Sequence, residues 1–65
     1  MDYTYLLVFA YTKNGNSYFS NKIVTLKGPF SEDNVKIEET EAAISNGQKS
    51  RIIGIYQIER GNRSG

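Results

Sequence analysis

Apolar and polar positions alternate over the first dozen residues, with Tyr3, Tyr5, Leu7, Phe9 and Tyr11 on one side of the pleat and Leu6, Val8 and Ala10 on the other. A period of two in a stretch of aromatic, β-branched and aliphatic residues predicts a strand from Tyr3 to about Thr12. Asn14-Gly15-Asn16 follows, and Asn-Gly tolerates the positive φ angles of a tight hairpin turn. The return strand is expected from about Ser17 to Leu26, with Tyr18 and Phe19 opening it. Lys27-Gly28-Pro29 ends it, because proline cannot donate to a ladder and disfavours helix in the residue before it.

The period then changes. Ser31 suits an N-cap, Glu32 and Asp33 suit the positive end of a helix dipole, and Phe30 and Val35 have the spacing of a hydrophobic staple. A helix from about Glu32 to Ser45 is predicted, with Asn46-Gly47 as its left-handed stop. Arg51 to Glu59 holds four isoleucines and reads as a third strand. The fold class is therefore α+β, a ββαβ chain. Its third strand returns through a helix and most simply joins the free side of the first, giving a three-stranded antiparallel sheet in the order 2-1-3 with one helix on one face. Residues 1–59 form the single domain, and the polar, glycine-rich residues 60–65 are expected to be a frayed tail.

One short helix cannot cover two apolar faces. Its sheet-facing stripe is read as Ile37, Thr40 and Ile44, and it is expected on the smaller, even-numbered face with Leu6, Val8, Ala10, Val24, Leu26 and Gly54. The odd-numbered face would then be left for a partner. The third strand lies at an edge without an inward charge, so Ile53 and Ile55 are candidates for an oligomer contact, whereas Lys22 and Lys27 guard the opposite edge.

Composition narrows the chemistry. Sixty-five residues lie near the lower limit for a self-sufficient core, and with neither Cys nor His there is no disulfide and little prospect of a structural zinc site. Self-association, a dimer in the first instance, is the remaining support. No cofactor or metal is expected, and a nucleophilic triad is excluded by the missing residues, so the chain reads as a binding protein and not an enzyme. The net charge of +1 argues against nucleic acid as the main partner. No basic leader or membrane-length apolar run is visible, which suggests a soluble protein of the cytoplasm.

Two surfaces are candidates for binding. Tyr5, Phe9, Tyr11, Tyr18 and Phe19 would form an aromatic face, since tyrosine anchors contacts at modest entropy cost. The same residues could instead be the protein's own core. Glu38, Glu39 and Glu41 form an acidic helix surface, the alternative site if the partner is basic, although such charges are commonly a solvated face.

The run from Tyr5 to Gly15, the run from Tyr18 to Thr25, the acidic helix and the segment Arg51 to Tyr56 together resemble the short ββαβ accessory proteins of phage and prophage genomes. Within that group, Phe9 to Lys13 and Phe19 to Thr25 are similar to segments of a small phage antitoxin that silences a host toxin. The resemblance implies an anti-defence protein of the host cytoplasm, antitoxin-like or anti-CRISPR-like, that inhibits a host protein by occupying it. An oligomer that encloses a nucleotide signal, with aromatic rings on the base and Lys or Arg on the phosphate, is the other mechanism it implies. A module for single-stranded nucleic acid is a weaker alternative.

Overall fold

In the computed structural model the described residues are 2–58, arranged as β1 (Tyr3–Lys13), β2 (Asn16–Leu26), α1 (Glu32–Asn46) and β3 (Arg51–Ile58). The sheet is three-stranded in the order β2-β1-β3, with both pairings antiparallel. The expected end of the last strand at Glu59 and the tail of residues 60–65 lie outside the described residues.

The β1–β2 hairpin is closed by Lys13 opposite Asn16, with Asn14 at φ 54° and Gly15 at φ 79°. Two consecutive positive φ angles wind the turn in the sense that matches the twist of the flanking strands. Register follows from that two-residue loop, so Tyr5 faces Val24, Leu7 faces Lys22 and Phe9 faces Ser20. On the other side of β1, Leu7 pairs with Ile55 and Val8 with Gly54, after which a shift between Val8 and Phe9 brings Phe9 opposite Ile52. Ile53 is thus the extra residue of a bulge.

Helix α1 lies on the odd-numbered face of β1, which corrects the expectation from the sequence. The buried core is Tyr5, Leu7 and Phe9, 7%, 0% and 1% exposed, and Tyr3, Val24, Leu26, Phe30, Ala42 and Ile52 pack against it. Directly opposed residues share a face, so the register puts Val24 with Tyr5 and Leu26 with Tyr3, on the aromatic side and not the small-residue side. Strands β2 and β3 are also mutually parallel, and in such a crossover the handedness of the connection, not the relative size of the two faces, selects where the helix lies.

The rotation of α1 about its axis departs from expectation as well. Ile37 and Ile44 point outward, 52% and 77% exposed, while Val35, Glu38, Glu39 and Ala42 are the half-buried positions nearest the sheet. The start of the helix sets this phase. The Ser31 hydroxyl accepts from the Asn34 N–H at 3.3 Å and donates to Asn34 Oδ1 at 2.9 Å, while the Ser31 N–H donates to that same oxygen at 3.0 Å. Just upstream, the Phe30 N–H donates to the Tyr5 hydroxyl at 3.1 Å, with the two rings 5.4 Å apart and tilted by 54°. Gly47 in the left-handed region (φ 73°) closes the far end, its N–H donating to the Ala43 carbonyl.

With so few apolar inward residues, carboxylates complete the docking. Lys22 Nζ, on β2, donates to Glu38 Oε1 at 2.8 Å and Glu41 Oε1 at 2.9 Å, and the Ile52 N–H at the bulge donates to Glu39 Oε2 at 2.8 Å. Lys22 is therefore turned to the helix and does not guard the β2 edge. The β3 edge is not bare either, since Glu39 occupies one of its donors. Beyond α1, the buried Ser50 hydroxyl accepts from Asn46 Nδ2 and donates to the Gln48 carbonyl, each at 3.0 Å, which fixes the turn into β3.

The cap should be measurable in isolation. Ser31→Ala should cost about 1 kcal/mol of unfolding free energy in chemical denaturation, and Phe30→Ala about 3 kcal/mol because it also removes the ring against Tyr5. Hydrogen bonds donated to Glu38 first, then to Glu41, raise the pKa of the Lys22 ammonium above its ordinary 10.5, against a smaller opposing effect of burial. A raised folded value means the contribution is complete below pH 10.5 and disappears as pH climbs through the folded value. Comparing Lys22→Met with the parent from pH 8 to pH 12 should show a gap of below about 1 kcal/mol, as suits an exposed pair, closing only at the alkaline end.

Candidate functional site

The aromatic residues singled out in the sequence separate into three places. Tyr5 and Phe9 are core side chains beneath α1, and their burial removes them from any surface a partner could reach. Tyr11 and Tyr18 lie on the same face, but nearer the turn. Phe19, opposite Ala10, belongs to the other face of the sheet and is 68% exposed.

The hairpin is longer than the rest of the sheet. β3 pairs with β1 only from Thr4 to Ala10, so Tyr11 to Lys13 and their partners Asn16 to Tyr18 project as a two-stranded finger. Tyr11 and Tyr18 are directly opposed there, their rings 5.5 Å apart and inclined by 23°. Cross-strand aromatic stacking steadies a ribbon that lacks a third strand, and it holds the two phenols as one block.

Where β3 begins beside the finger, a shallow cleft of about 500 Å³ is lined by Tyr11, Thr12, Ser17, Phe19, Lys49 and Arg51, among others. The Phe19 ring, hydroxyls and two cations line it. Sequence reasoning did not bring Lys49 or Arg51 to this place, because their approach depends on the β3 register and on the turn that Ser50 holds.

A second cleft, of about 270 Å³, runs between β2 and the later half of α1 beside Phe9, Asn21, Lys22, Glu41, Ala42 and Ser45. Its charged residues are already matched to each other. The acidic surface is likewise largely spent within the chain: the Glu38 side chain is 12% exposed against Lys22, Glu39 is tied to the Ile52 N–H, and Glu41 shares Lys22 while staying exposed. Among the described residues no group of three or more acidic side chains is arranged to hold a metal ion.

The opposite face of the sheet is arranged in rows. Ile23, Leu6 and Tyr56 form one, Asn21, Val8 and Gly54 the next, and Phe19 and Ala10 a third. Phe19, Ile23 and Tyr56 are all more than half exposed, and no element among the described residues lies over them. Ile55 pairs with Leu7 and sits on the helix side of β3, while Ile53 is the unpaired residue of the bulge and belongs to no row. No helix is long and apolar enough to cross a membrane.

No protein-family model, curated protein sequence or solved structure matches the chain.

Proposed function

We propose that this protein acts by stoichiometric binding and not by turnover, and that the stacked Tyr11–Tyr18 pair on the projecting hairpin anchors a protein target. The observation that carries this reading is the finger itself. Two tyrosines pre-stacked at 5.5 Å on a ribbon that extends past the third strand offer a large, rigid contact at small entropic cost. Nothing in the fold of the sheet requires the hairpin to extend so far. In keeping with the resemblance to phage accessory proteins, the target is a host defence protein that is inhibited by occupation of its working surface.

One observation favours a second reading. Phe19 shares a cleft with Lys49 and Arg51, which is the chemistry needed to stack a base and neutralise a phosphate. A nucleotide signal held there would be sequestered and not consumed. The acidic helix is a weaker candidate than either, since Glu38 and Glu39 already serve the fold.

Affinity capture from a bacterial lysate, with both proteins and small molecules identified by mass spectrometry, separates the two. Tyr11→Ala combined with Tyr18→Ala should weaken capture of a protein target by about 2 kcal/mol or more without unfolding the chain, since both lie outside the buried core. Recovery of a nucleotide lost on Lys49→Ala and Arg51→Ala, with no protein partner, would replace the first reading by the second. Full capture by the double tyrosine variant would remove the finger from the site.

A further inference from the structure

From the open face of the sheet we infer that the protein is a two-fold dimer, in which the face bearing Leu6, Val8, Phe19, Ile23 and Tyr56 packs against the same face of a second copy. The first argument is the size of the core. Among the described residues only Tyr5, Leu7 and Phe9 are buried hydrophobic residues, and a chain without cysteine has no disulfide to supplement them. So small a core seldom sustains a fold alone, and a cover that folding itself depends on must be present whenever the chain is made. A second copy of the chain meets that condition.

Chemistry and shape favour the same occupant. Along the rows Ile23–Leu6–Tyr56, Asn21–Val8–Gly54 and Phe19–Ala10 there is no charged side chain, and Arg51 enters only at a corner, opposite Ala10. A face without charge meets its own copy without like-charge repulsion, as an isologous contact requires. The glycine in the middle row also keeps the face level. A Cβ at Gly54 would come within 2.7 Å of the Tyr56 ring, so the ring reaches back along the strand over Gly54 and does not stand away from the sheet. Level sheets stack about 10 Å apart with their inner side chains interleaved.

The area suffices. Three strands about 4.8 Å apart, sharing a paired length of about 23 Å and extended by the hairpin, give a face whose stacking on a copy removes on the order of 1,000 Å² in total, the size at which specific interfaces begin. The finger with Tyr11 and Tyr18 lies on the helix side of the sheet and stays available, so this dimer and the proposed target site do not compete.

Sedimentation equilibrium at about 10 μM should give twice the 7.3 kDa chain mass, with a melting temperature that rises with concentration. The native chain has no cysteine, so single cysteines report the geometry cleanly. Asn21→Cys, in the middle row of the face on β2, should form a covalent dimer with a short bismaleimide, and Ile44→Cys, on the outer side of α1, should not. Ile23→Lys should shift the dissociation constant upward at least a hundredfold; if it unfolds instead, the cysteine pair on the parent background still decides. A monomer at 10 μM would overturn the inference, as would a dimer linked through Ile44→Cys and not Asn21→Cys. A face found covered by an unrelated protein in preference to a second copy would overturn it too. The Tyr11→Ala, Tyr18→Ala variant should remain dimeric, so loss of target binding and loss of the dimer are separate results.

Discussion

The contact on which the rest of the molecule depends joins Tyr5 to Phe30. Tyr5 sits near the start of the central strand with its ring in the core, and its hydroxyl accepts the Phe30 N–H at 3.1 Å. The phenol thus satisfies a backbone donor in the segment where β2 has ended and α1 has not begun, a place with no ladder to take it. Because Phe30 immediately precedes the cap at Ser31, that one bond with its tilted ring pair pins the start of the helix over the core and sets how it is rotated on the face that the crossover selects. A phenylalanine at position 5 would fill the same volume and leave the crossover without its anchor.

Once the start is fixed, the rest of α1 has to make do with the side chains that fall inward. Those are largely polar: Glu38 and Glu39 stand where a typical amphipathic helix would have leucine or isoleucine. Each finds a partner that the sheet supplies. Lys22 reaches up from β2, and the bulge at Ile53 leaves the Ile52 N–H directed at Glu39. Hydrogen bonds to charged groups are stronger than neutral ones, but half-exposed ion pairs contribute little net stability. The helix is therefore well aligned and weakly held, and Ile37 and Ile44 are left in solvent.

Local signals in the sequence were largely sufficient for the elements themselves. Alternation from Tyr3 to Tyr11, the Asn14-Gly15 turn, the Ser31 cap and the Gly47 stop each act within a few residues of where they are written, and the strand order follows from connectivity. What the sequence hid was the assignment of faces. Whether Val24 belongs with Tyr5 depends on a hairpin register that the exact loop length sets, and whether Ile37 or Glu38 faces the sheet depends on a rotation set by Phe30 and Tyr5, which are far apart in sequence. Reading isoleucine as inward and glutamate as outward failed for that reason. The same dependence scattered the aromatic set, so that Tyr5 and Phe9 are structural, Tyr11 and Tyr18 project on the finger, and Phe19 faces the other side.

The two faces of the sheet express one division of labour. On the helix side the large residues are consumed by the chain's own core, and the polar tethers above them fix geometry more than they add stability. On the other side Leu6, Val8, Ile23 and Tyr56 lie in uncharged rows that no described element overlies, and their burial is the larger unused source of hydrophobic stabilisation in the molecule. The only aromatic surface that neither the helix nor a stacked sheet would consume is then the far end of the hairpin, where Tyr11 and Tyr18 extend past the last residue of β1 that β3 can pair with.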